Sequence, residues 1–160
     1  MKNLLKRGFT LIDLLLAMGL LVTVFSFVSI NLLNVQNKPL LDAHTQKLFA
    51  DLKSQQNKAI AGDAGDGSAA SEWGVYIEPS RYTLFKGTGY SASGTQNFSV
   101  ELDSNTSLAT TFVNSSIVFN KISGEVLNYT QGADTITVSN NTSGESRMIR
   151  LNLLGAATIN

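Results

Sequence analysis

The hydrophobic and polar positions of this chain fall into three regimes. From Phe9 to Leu33 the residues are almost uninterruptedly apolar, and Asp13 is the one charge among these 25 positions. At about 1.5 Å per residue a helix of that length reaches roughly 37 Å, more than the ~30 Å of a hydrocarbon core, so the run predicts a membrane-crossing helix. From Leu40 to about Ala61 the pattern becomes amphipathic: Leu41, Leu48, Leu52 and Ala59 make a stripe that Phe49 and Ile60 widen, while Asp42, Gln46, Lys47, Asp51, Lys53 and Lys58 take the other faces. This predicts a helix over 40–61 laid on a sheet; a coiled coil is the weaker reading, because the heptad is not sustained. Pro39 is expected to bend or restart the helix, and Gly62 to stop it.

Beyond the Gly62–Ser71 loop the period shortens to that of strands. Trp73–Glu78 and Arg81–Lys86 flank Pro79-Ser80 as a hairpin, and Gly87–Thr95 reads as a loop. Phe98–Leu102, Leu108–Val113, Ile117–Phe119, Val126–Tyr129, Thr135–Ser139, Arg147–Leu153 and Ala157–Ile159 follow as strand candidates. A helix followed by many short strands predicts an α+β fold, with a long N-terminal membrane or stem helix leading into an antiparallel β-sheet domain.

Charge and composition narrow the chemistry. Lys plus Arg and Asp plus Glu each total 12; without Lys2, Lys6 and Arg7 the balance is 12 − 3 = 9 basic against 12 acidic, the wrong sign for a protein that holds nucleic acid mainly by charge. Without cysteine there are no disulfides and no thiolate metal sites. The single histidine, His44, has no second imidazole to share a zinc ion with. No cofactor is implied. Asp63, Asp66 and Glu72 could gather around calcium, but their spacing matches no rigid calcium loop and a solvated turn is the simpler reading. Neither Ser80 nor Ser123 carries a nucleophile signature that would enlist His44, so no enzyme is expected. The Asn-x-Ser/Thr triplets at Asn97, Asn105, Asn114, Asn128, Asn140 and Asn141 read as a hydrophilic, low-charge surface.

The N-terminus carries the most specific arrangement. A cleaved secretory signal has an apolar core of about 7–15 residues, too short for this run. A plain signal anchor leaves Gly8-Phe9 and Asp13 unexplained. Basic Lys6-Arg7, then Gly8, then Phe9-Thr-Leu-Ile-Asp13 and an apolar stem resembles the class III signal of type IV prepilins. The resemblance implies a leader over 1–8, an assembly and transmembrane helix over 9–36, and a pilin-like domain over 37–160. It implies that a prepilin peptidase cuts between Gly8 and Phe9 and N-methylates Phe9. Asp13, where the family usually has Glu, would then pair with the N-terminal ammonium of a neighbouring subunit. Lys2, Lys6 and Arg7 would hold the N-terminus inside, placing the chain in the bacterial inner membrane as a single-pass protein with its C-terminal domain outside the cytoplasm. Gly19, Ser26 and Ser29 are small enough for close helix contact.

The region around Asn57-Lys-Ala-Ile60, Trp73-Gly-Val-Tyr-Ile77, Ile117-Val-Phe-Asn…Gly124 and Met148-Ile-Arg-Leu-Asn-Leu-Leu-Gly155 is similar to the GspH/FimT group of minor pilins and type II secretion pseudopilins, whereas Gly87–Asn114 matches little. The implied function is a structural minor subunit of a type IV filament or secretion pseudopilus, with a prepilin peptidase, other pilin or pseudopilin subunits and the membrane as partners. The alternative is a DNA-uptake minor pilin. Arg147 and Arg150, expected to share a strand face, make only a thin phosphate grip, and the tail after Gly155 holds no arginine, so nucleic acid is an unlikely partner.

Overall fold

Helix α1 (Leu11–Ile60) owes both its ends to side chains and turns the sequence supplies. At the start, Thr10 and Asp13 satisfy each other's backbone amides. At the other end Gly62 takes a left-handed φ of 66°, and its N–H and that of Asp63 bond the carbonyls of Ala59 (3.0 Å) and Lys58 (2.9 Å), a paired closure that only a residue without Cβ adopts at little cost. The computed structural model describes residues 10–65 and 69–160, without the side chains of 27–39. The chain divides into two compact units, Met1–Asn37 and Lys38–Asn160, and α1 contributes to both.

The expected transmembrane architecture does not stand. Among the described residues no helix is long and apolar enough to cross a membrane. A membrane stem over 9–36, single-pass placement in the inner membrane and the pilin-type architecture built on that stem are therefore corrected. Nor does the helix restart at Pro39: α1 continues through it.

Among the described residues of the second unit, eight strands form two antiparallel sheets. The first orders β3-β2-β1-β5, from β1 (Trp73–Glu78), β2 (Arg81–Lys86), β3 (Phe98–Glu101) and β5 (Ser116–Phe119). The second orders β4-β6-β7-β8, from β4 (Thr106–Thr110), β6 (Thr135–Asn140), β7 (Ser146–Leu151) and β8 (Ala157–Ile159). The β1–β2 hairpin turns at Pro79-Ser80 and sets Glu78 opposite Arg81, whose guanidinium bonds it at 2.7 and 3.1 Å. Val126–Tyr129 is not a strand; one bridge, Phe119 to Val126, is its share of the ladder.

One apolar core joins these parts. Leu41, Leu48, Leu52 and Ala59 of α1 meet Trp73, Val75, Ile77, Tyr82, Ile117 and Phe119 of the first sheet and Leu108, Ile136, Val138, Ile149 and Leu151 of the second. The alternation along β1 and β7 that puts these residues inward is what the two-residue period of a strand dictates. Burial of each such side chain stabilises the fold by about 1.5–3 kcal/mol.

Candidate functional site

Gly8 and Phe9, the expected cleavage junction and methylation site, lie outside the described residues. Asp13 is described, and its geometry is specific. Its Oδ2 accepts from the Thr10 hydroxyl at 2.6 Å and from the Thr10 N–H at 3.2 Å, while the Asp13 N–H donates to Thr10 Oγ1 at 3.3 Å. Thr10 is the N-cap and Asp13 the third helical residue, so the Thr10 amide gains a partner in the carboxylate, and the Asp13 amide, which also bonds the Thr10 carbonyl at 3.0 Å, gains a second in the hydroxyl. The hydroxyl bond, and after it the amide bond, holds the Asp13 carboxyl below the usual carboxylate range. A carboxylate here also faces the positive end of the helix dipole. The sequence reading gives Asp13 an assembly role, with a tolerated polar residue as the alternative; Thr10, three residues earlier, is the local signal of the capping role.

Behind this cap the helix surface is apolar on every side. Leu11, Ile12, Leu14, Leu15, Leu16, Met18, Leu20, Leu21, Val22, Val24 and Phe25 are each more than half exposed. Successive helical residues are rotated by about 100°, so such a run leaves no polar stripe. The polar side chains within it turn inward on the helix itself: the Thr23 hydroxyl donates to the Leu20 carbonyl at 2.8 Å and that of Ser26 to Val22 at 2.9 Å. At Gly19 an added Cβ would meet nothing within 4 Å, so the space beside it is open. Ser29, the third small residue, belongs to the stretch whose side chains are not described. A helix apolar all round is stable in water only when enclosed by several neighbours.

The remaining candidates resolve into structural roles. His44 Nε2 lies 2.7 Å from Asp103 Oδ2, tying α1 to the β3–β4 connection. Burial works to raise the Asp103 carboxyl, but bonds from the Asn105 N–H, His44 and the Thr106 hydroxyl outweigh it and hold the group below its ordinary value. Ser123 exchanges bonds with Glu125 across its own turn. Of the acidic loop, Asp63 accepts from the Gly65 N–H at 2.8 Å, Glu72 pairs with Lys121 at 3.3 Å, and Asp66 lies outside the described residues. Among the described residues no three potential ligands cluster in a way that could hold a metal ion.

Arg147 and Arg150 do not share a face. Three positions apart, they alternate: Arg147 bonds Asp42 of α1 at 2.9 Å, and the exposed Arg150 stands 3.9 Å from Asp134. No family model, no curated protein and no solved structure matches the chain. The resemblance to type IV prepilins rests on the residues quoted for it.

Proposed function

We propose that the chain is a structural minor subunit of a type IV filament or a type II secretion pseudopilus, released by a prepilin peptidase after Gly8 and packed among other subunits through its N-terminal helix. The observation that carries this reading is the helical surface from Leu11 to Phe25, apolar on all sides and exposed, immediately behind the Gly8-Phe9 junction. Enclosure by several like helices covers such a surface, whereas a single flat partner covers one side. The reading needs no membrane-crossing stem. Nucleic-acid binding is the weaker alternative, since both arginines it would use face carboxylates on opposite sides of β7.

Coexpression with a prepilin peptidase tests the first step. Mass spectrometry is expected to find a chain shorter by the eight residues through Gly8, beginning at N-methylated Phe9, and Gly8→Val is expected to block the cut. An intact chain, or a cut at another bond, overturns the reading. Asp13 variants then separate charge from capping. Asn keeps an acceptor for the Thr10 amide but carries no charge, so a filament that needs the carboxylate loses at least about tenfold in incorporation with Asp13→Asn and Asp13→Ala alike, while Asp13→Glu is tolerated. Full incorporation of Asp13→Asn with loss only in Asp13→Ala would reduce Asp13 to a helix cap.

A further inference from the structure

The face of the first sheet that turns away from the apolar core carries a second, smaller feature. Tyr76 of β1 is paired directly with Ser116 of β5, so the two side chains share that face, and Tyr90 of the β2–β3 loop lies flat on Tyr76 with ring centroids 4.0 Å apart and planes 7° from parallel. Phe85 meets the Tyr90 ring edge-on at 5.8 Å. Beside the stacked pair opens a cleft of about 500 Å³, walled by Tyr76, Tyr90, Asn114, Ser116, Leu127 and Asn128 among others. This is within the ~300–1,000 Å³ typical of small-molecule sites.

Two independent observations point to a ligand there, and a third to its chemistry. The Ser116 hydroxyl, on a residue only 8% exposed, has no hydrogen-bond partner among the described residues. A buried hydroxyl left unpaired costs about 1–3 kcal/mol and calls for a partner. At the rim, Asn114 and Ser115 both hold left-handed backbone, with φ of 56° and 52°. Consecutive non-glycine residues in that region are sparsely populated and concentrate at functional sites. Finally, among the described residues no Asp, Glu, Lys, Arg or His lines the cleft.

We propose that this cleft binds a neutral saccharide, with the apolar face of a pyranose ring against Tyr90 and Leu127 and its hydroxyls on Ser116, Asn114 and Asn128. Aromatic faces with amides and hydroxyls, and no charge, match a polyol rather than a phosphate or a carboxylate. An extended peptide finds no strand to join, because the edge of β5 is closed. Asn128 Oδ1 accepts from the Val118 N–H at 3.3 Å, its Nδ2 donates to the Ser116 carbonyl at 2.5 Å, and the Leu127 N–H donates to the Val118 carbonyl at 2.9 Å. The inference is independent of the filament reading.

The test titrates the full chain, held in a zwitterionic detergent free of sugar headgroups, with chitotriose and with maltotriose, using calorimetry and amide chemical shifts. At least one neutral trisaccharide is expected to bind with Kd of about 1 mM or tighter, moving the amides of residues 88–90, 113–116 and 127–128. Asn114→Gly keeps the left-handed backbone while removing the amide, and is expected to weaken binding at least about fivefold without lowering the melting temperature. Tyr90→Ala is expected to abolish it. No saturable response to either sugar up to about 10 mM overturns the proposal. So does binding that both variants leave unchanged, or tighter binding of trigalacturonate or of a Val-Thr repeat peptide.

Discussion

Tyr82 shows how one polar atom can tie a core residue to its surroundings. Its ring is 1% exposed inside the apolar cluster, yet its hydroxyl reaches Asp51 of α1 and donates to Oδ2 at 2.5 Å. Burial, then the bond to Asp51 and the negative charge beside it, raise the phenol well above its ordinary value. The unfolded chain therefore loses this proton first. Stability from the neutral phenol is complete below about pH 10 and is lost as the pH rises beyond it. Tyr82→Phe is expected to cost about 1.5 kcal/mol at neutral pH, the order of one hydrogen bond to a charged acceptor, and to make melting temperature less sensitive to pH between about 9 and 11. Thermal melts of both proteins across that range check it; an unchanged alkaline slope would remove Tyr82 as its source. The ring was legible from the strand pattern, but the Asp51 partner was not, because it lies 31 residues earlier and nothing local marks the pair.

At the scale of elements, the buried face of α1 shows what pattern reading caught and what it lost. The buried positions are 41, 45, 48, 52, 55 and 59, a regular alternation of four and three. Thr45 and Gln55 fill the gaps, each 1% exposed; as polar residues they dropped out of a hydrophobic count and made the repeat look broken. Thr45 is accommodated because its hydroxyl returns to the Leu41 carbonyl at 2.7 Å. Joints between elements were equally hidden. Gln56 donates to the carbonyls of Gly124 (3.0 Å) and Leu154 (2.9 Å), clamping two turns remote in sequence onto α1. At Gly155, φ is 75° and an added Cβ would stand 2.3 Å from Gln56 Nε2. Gly155→Ala is expected to destabilise by about 2–4 kcal/mol in chemical denaturation, combining backbone strain with overpacking. Ile122 is the opposite case. It holds a φ of 71° with its side chain 71% exposed, while its N–H caps the Ala59 carbonyl at 2.8 Å. Ile122→Gly keeps that bond, relieves the strain and is expected to stabilise by a net ~0.5–1 kcal/mol, about 2 °C in melting temperature; a lower melting temperature would show that the exposed side chain contributes after all.

For the molecule as a whole, the described side chains from Leu11 to Phe25 are apolar and exposed, whereas residues from Leu41 onward bury an apolar core. The strand candidates from Trp73 onward were largely legible because alternation is local, whereas their division into two sheets depends on long-range pairing that no window of sequence contains. The apolar run was equally legible, because it too is a local pattern. Among the described residues the buried apolar cluster runs from Leu41 to Leu151, within 38–160. A fragment of those residues is therefore expected to fold alone as a monomer with one cooperative melt, giving mixed helix and strand by circular dichroism. The full chain adds the exposed apolar side chains from Leu11 to Phe25. At about 25 cal/mol per Å² these have a strong drive to leave water, and they are expected to make it self-associate in the same buffer. Sedimentation velocity on both proteins decides. Charged substitutions at Leu15 and Leu21 in the full chain should return it towards the monomer without changing the melt of the second unit. Self-association by the fragment would instead locate the sticky surface on the sheets, and would take from the N-terminal helix the assembly role argued for it.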